Sequence, residues 1–131
     1  MKLAETDESV RAGTVYVAPE QFQLGITKAG RIRLAQEPAE DGFCPSAGYL
    51  FETVAEAYGP SAVGILLTGM GRDGAKGLLR LREAGAVTIA QNEETSVVFG
   101  MPGEAVRLGA PQYVLPPDRI SEAIRSVVKS G

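Results

Sequence analysis

The residues with the most scope for chemistry lie in "LLTGMGRDGAKG", residues 66–77. An apolar run leads through Gly69, Gly71 and Gly74 into a helical pattern, and Asp73 stands inside the glycine turn. Three readings fit these residue types. The glycines spell G-x-G-x-x-G, and Glu93 lies 19 residues past Gly74, about where a ribose-binding acid is expected in a dinucleotide site. Against that, Asp73 sets a negative charge where a pyrophosphate would sit, and the six-stranded dinucleotide sheet exceeds this length. In the second reading the glycines let backbone amides face a cleft, where a helix N-terminus stabilises an ionised Asp73 or a developing oxyanion. In the third, Asp73 simply caps the helix that starts near Gly74.

Other reactive types are scarce. The chain has no histidine, which excludes a Ser-His-Asp or Cys-His machine made from these residues alone, and excludes histidine-bearing zinc sites. Cys44 is the single cysteine; it forms no intrachain disulfide and has no evident base to activate it. Ser46 and Ser96 read as cap and turn residues. Glu93 and Glu94 read as solvated loop charges without a second cluster to hold a metal. Phe99 and Met101 read as apolar packing beside a strand. Neither metal nor cofactor is expected.

These residues must be held by one small domain of 131 residues, 44% hydrophobic and 22% charged, enough apolar content for a core. A net charge of −3 without a basic run points away from nucleic acid. No apolar run reaches the roughly 18–20 residues of a membrane span, and "MKLAETDESVRAG" has no signal-peptide core. Together with the cysteine usage, this suits a cytoplasmic location.

Residues 1–12 are polar and are expected to be frayed or extended. "TVYVA" (14–18) reads as a strand stopped by Pro19, and residues 22–36 as a hairpin with Gly30 in its turn. "EPAEDGF" (37–43) reads as a loop. A helix starts near Pro45, carries Ala47, Leu50, Phe51, Val54 and Tyr58 on one face, and ends at Gly59-Pro60. "AVGILLT" (62–68) reads as a strand buried on both faces. A helix then runs to Gly85, followed by a strand at 86–90, a helix at 103–109 and a strand at 112–115. The final helix carries Ile120, Ala123, Ile124, Val127 and Val128 on one side. Strands alternating with helices predict an α/β fold: a mainly parallel, doubly wound, three-layer sheet with an added β-hairpin. Sites in such sheets form beyond the carboxyl ends of strands, here at residues 68–74 and 91–102.

Several linked motifs go beyond architecture. "LTGMG-x-DGA", "G-L-x-x-R-x-A-G", "AQNE" and "VFGMP-x-EA" follow one another, with "AGTVYVAP" (12–19) and "PSAGYLFETVA" (45–55) before them. In this order they resemble the catalytic domain of the chemotaxis protein-glutamate methylesterases, the CheB family, over nearly the whole chain. The resemblance implies a serine hydrolase that demethylates glutamyl methyl esters, and often deamidates glutamines, on the cytoplasmic helices of methyl-accepting chemoreceptors. It implies that Asp73 is the triad aspartate and that Met70 supplies an oxyanion-hole amide, with Gly69, Gly71 and Gly74 forming the turn.

The resemblance also implies that the serine- and histidine-bearing βα units of the family domain precede the segment covered by residues 1–131. The chain alone is then expected to be inactive. It is also expected to expose strand 62–67 as an unpaired edge that accepts the missing N-terminal half or a second copy of itself. Gly103, Gly48 and Gln23 stand where the family often has Arg, Asp and His. A non-catalytic module that binds receptor or partner, and a nucleotide binder using the 69–74 loop, are the alternative readings.

Overall fold

The computed structural model describes residues 1–37, 44–68 and 74–130. Its second half is built on three parallel strands, β5 (Val63–Leu66), β6 (Val87–Gln91) and β7 (Tyr113–Leu115), in that spatial order. Ahead of them come the short strands β1 (Lys2–Leu3) and β2 (Tyr16–Val17) and a hairpin of β3 (Gln23–Ile26) and β4 (Ile32–Ala35). The α-helices among the described residues are α1 (Ala47–Ala57), α2 (Ala75–Glu83), α3 (Gly100–Leu108) and α4 (Pro117–Ser130).

The parallel register pairs Gly64 with Thr88, Leu66 with Ala90 and Ile89 with Tyr113. β6 has a neighbour on each side, so Ile89 and Ala90 are wholly buried. Helix α2 packs against β5, β6, α1 and α3; α1 packs in turn on the hairpin, and α4 packs on β6. The main core joins Leu66, Leu78, Leu81, Ala86, Ala105 and Ala110, with Phe51 and Val54 of α1 against it. A second core joins Ala4, Leu24 and Ile32 beneath Tyr16, Leu34 and Leu50. The α/β fold expected from alternating strands and helices is the one observed.

Gly77 sets the spacing between α1 and α2. A β-carbon there would fall 3.0 Å from the Cα of Gly48, so the two helices approach backbone to backbone. The hairpin turn expected at Gly30 is present: Gly30 takes a positive φ of 77° and its N–H donates to the Thr27 carbonyl at 2.9 Å. Ser46 caps α1, accepting from Tyr49 N at 3.4 Å.

Two expectations need adjusting, and a third, which allowed two states, narrows to one. Of the two states expected for the first residues, frayed or extended, the structure shows the extended one. Lys2 and Leu3 pair with β2, and Asp7 N donates to Ile32 O at 2.7 Å, which ties a polar segment down through its backbone. The helix expected at 103–109 begins at Gly100, because Pro102 falls in the first turn, where a missing N–H costs no helical bond. β5 is not buried on both faces. Gly64 and Leu66 are buried, Gly64 against Leu78 and Leu81, while Val63 and Ile65 are half-buried. The cause is its position, since among the described residues β5 pairs only with β6. The predicted 37–43 loop lies outside the described residues except for Glu37.

No helix among the described residues is long and apolar enough to cross a membrane.

Candidate active site at the carboxyl ends of β5 and β6

Parallel strands deliver their carboxyl ends to one side of the sheet, so the residues after β5 and after β6 are brought together. Thr68 is the first anchor. Its N–H donates to the side-chain oxygen of Gln91 at 2.8 Å. Its hydroxyl donates to Val98 O and accepts from Val98 N, both at 2.9 Å. One hydroxyl thus serves both backbone groups of Val98, as a strand partner would.

Gln91 ends β6 and is 4% exposed. Its amide nitrogen donates to Thr95 O at 3.0 Å and to Thr95 Oγ1 at 3.2 Å. Asn92 continues the connection: its N–H donates to Leu115 O at 3.0 Å, and its side-chain oxygen accepts from Thr95 N and Thr95 Oγ1. Ser96 Oγ donates to Asn92 O at 2.7 Å, so the turn reading of Ser96 holds. Polar side chains thus tie the ends of β5 and β6, and the Asn92 backbone N–H ties the end of β7. Among the described residues, no buried side-chain nitrogen or oxygen lacks a partner.

Gly74 is the second anchor. It occupies the N-cap position of α2 with a φ of +89°, a region open to glycine at little cost. A β-carbon there would lie 3.0 Å from Ala47 Cβ and 3.1 Å from Leu66 Cδ2. α1 and β5 thus wedge the start of α2 in place. The N-cap position falls on Gly74, which has no side chain to offer. Gly69, Met70, Gly71 and Asp73 lie outside the described residues.

The remaining candidates are placed plainly. Cys44 is exposed and free. Glu93 and Glu94 are exposed, and among the described residues no cluster of acidic or sulfur ligands could hold a metal ion. Phe99 and Met101 are half-buried; a β-carbon on Gly103 would stand 2.9 Å from the Phe99 ring, so the ring fills the space a side chain at 103 would need. Reading the sequence missed Thr68 and Gln91 as anchors. The available signal was a glutamine closing an apolar strand, "AVTIAQ", immediately before a candidate loop.

Known proteins match this chain in sequence and in fold. The family model described as CheB methylesterase matches residues 1–124. The chain is 49% identical over 124 residues to protein-glutamate methylesterase/protein-glutamine glutaminase 1 of Syntrophus aciditrophicus, covering 95% of this chain and 35% of that protein. It is 50% identical over 121 residues to the protein-glutamate methylesterase FrzG of Myxococcus xanthus, covering 92% and 36%. The crystal structure of the Thermotoga maritima CheB methylesterase catalytic domain superposes with a TM-score of 0.86 at 34% identity, covering 98% of this chain and 68% of that one. The chain thus spans about a third of the length of these curated relatives and about two thirds of a solved catalytic domain. With the family match running from the first strand into the last helix, this chain belongs to the CheB methylesterase family.

Proposed function

We propose that residues 1–131 form the part of a protein-glutamate methylesterase domain that supplies the triad aspartate, Asp73, and an oxyanion-hole amide, that of Met70. The supporting observation is the "TGMGRDGA" motif at the carboxyl end of β5, within a family match that spans residues 1–124. In this reading Asp73 accepts a hydrogen bond from a histidine, fixes its tautomer and stabilises the imidazolium as a serine attacks the glutamyl ester. The Met70 amide donates to the oxyanion as the carbonyl carbon becomes tetrahedral. Residues 1–131 contain no histidine, so in this reading the base comes from serine- and histidine-bearing βα units outside residues 1–131. The substrates are glutamyl methyl esters, and glutamines, on the cytoplasmic helices of chemoreceptors, which places the activity in the cytoplasm.

Mixing the chain with a complement that bears those units and following methanol release from a methylated receptor fragment tests the proposal. Release from the mixture and none from the chain alone is expected. Asp73→Asn in the mixture lowers kcat by about 10³-fold or more, on the scale of the aspartate's role in serine proteases. An unchanged rate removes Asp73 from the mechanism. Receptor binding without any methanol release would instead favour a non-catalytic binding module.

A further inference from the structure

We infer that Gln91 is a positioning residue for the hydrolase site, acting through Thr68; the inference rests on the reading of Asp73 as the triad acid. Backbone pairing between β5 and β6 ends at Leu66 and Ala90. Beyond that point the Gln91 side chain takes over, accepting from Thr68 N at 2.8 Å. It therefore fixes the backbone just where β5 passes into the sequence that leads to Asp73.

Packing alone does not explain a glutamine here. β6 is otherwise Val87, Thr88, Ile89 and Ala90, and position 91 is 4% exposed. A buried amide is costly unless its groups are partnered, and an apolar residue of similar size would bury with no such requirement. The Gln91 amide bonds to loop groups: Thr68 N on one side, Thr95 O and Oγ1 on the other. One rigid side chain thus couples the loop after β5 to the loop after β6. The geometry needs an acceptor and a donor on one planar group, which leucine lacks altogether and glutamate supplies only in part. Misplacement of a reacting group by about 1 Å costs on the order of 10²-fold in rate, so a device of this kind has leverage on turnover.

Two measurements on Gln91→Leu and Gln91→Glu test the inference. In the intact chain, hydrogen exchange of the Thr68 amide speeds at least about tenfold in Gln91→Leu, through loss of its acceptor, while Ile89 and Leu66 keep their protection. Gln91→Glu, which retains an acceptor, keeps Thr68 protected. In the complemented enzyme, Gln91→Leu lowers kcat by about 10- to 100-fold with KM little changed, and Gln91→Glu recovers part of that loss. Unchanged Thr68 exchange, or uniform loss of protection across the sheet, overturns the inference. So does full turnover by Gln91→Leu in a mixture where Asp73→Asn is inactive. Equal activity of Asp73→Asn and the unmodified chain would instead overturn the reading of Asp73, leaving the exchange data to judge the Gln91 coupling by itself.

Discussion

Gly77 on α2 faces Gly48 on α1 across a gap too small for a side chain: a β-carbon at 77 would lie 3.0 Å from both the Cα and the carbonyl oxygen of Gly48, and 2.9 Å from Phe51 Cβ. Helix α1 bears the core residues Phe51 and Val54, and α2 starts at the Gly74 anchor, so this contact bears on both the core and the site.

Gly77→Ala is therefore expected to destabilise the fold. Alanine gains about 1 kcal/mol of helix propensity over glycine, but forcing a methyl group against backbone costs about 1–3 kcal/mol. The obstructing atoms include backbone and a Cβ, which cannot swing aside as a side-chain tip can. A net loss of about 1 kcal/mol, and at most about 2 kcal/mol, in urea unfolding is expected from those two opposing terms. A variant as stable as the parent would show that α1 and α2 separate freely.

Gln23 is a second buried glutamine and is fully inaccessible. Its side-chain oxygen accepts from Ser46 N at 2.9 Å and its nitrogen donates to Glu37 O at 3.0 Å. It thus joins the end of the hairpin to the cap of α1. Gln23→Leu keeps the volume and leaves those backbone groups without these bonds, costing about 1–3 kcal/mol. Urea unfolding checks the magnitude, and faster exchange at the Ser46 amide checks the cause; an unchanged midpoint with unchanged exchange refutes both.

How much of this was visible in the sequence follows from the range of the forces involved. The hairpin around Gly30, the start of α1 near Ser46 and the end of α2 at Gly85 are set within a few residues, by turn and cap chemistry, and could be read directly. The N-terminal residues could not. Lys2 and Leu3 find their partners at Tyr16 and Val17, and Ser9 finds Arg31, through backbone pairing that leaves no apolar pattern. The one-sided burial of β5 was hidden for a related reason, because "AVGILLT" reads the same at the centre of a sheet as at its edge. At the site, the motif around Asp73 was legible as a pattern of types, whereas the coupling of Thr68 to Gln91 spans 23 residues and depends on strand register.

The N-terminal segment also carries a pH dependence. Lys2 Nζ donates to Glu8 Oε1 at 2.8 Å, and Glu5 N donates to Glu8 Oε2 at 2.6 Å. The hydrogen bond from Lys2 comes first in holding the Glu8 carboxyl below its ordinary value, and the same bond raises Lys2. A carboxylate depressed in the folded state contributes stability above its unfolded value and loses it as pH falls through the folded one. A raised lysine contributes below its unfolded value and loses it as pH rises through its folded one. This contact is thus fully formed at neutral pH and weakens at both extremes. NMR titration should place the Glu8 midpoint below the usual carboxylate range, and Lys2→Met should move it up. A midpoint indifferent to Lys2→Met would mean that the pair is not made in solution.

Among the described residues β5 pairs only with β6, so its far side carries backbone groups outside that ladder. Val63 and Ile65 are half-buried and Leu67 is 51% exposed, which gives this edge an apolar character. Apolar edges without charge or proline recruit other strands. Sedimentation velocity should therefore show the chain self-associating as its concentration rises, and should show that a serine- and histidine-bearing complement displaces the self-associated form. Ile65→Lys places a charge beside the edge at a half-buried position and should shift the chain toward monomer while lowering the yield of the complemented enzyme. A monodisperse monomer whose β5 amides are already fully protected from exchange would show that this edge is closed, and would remove β5 as the docking strand.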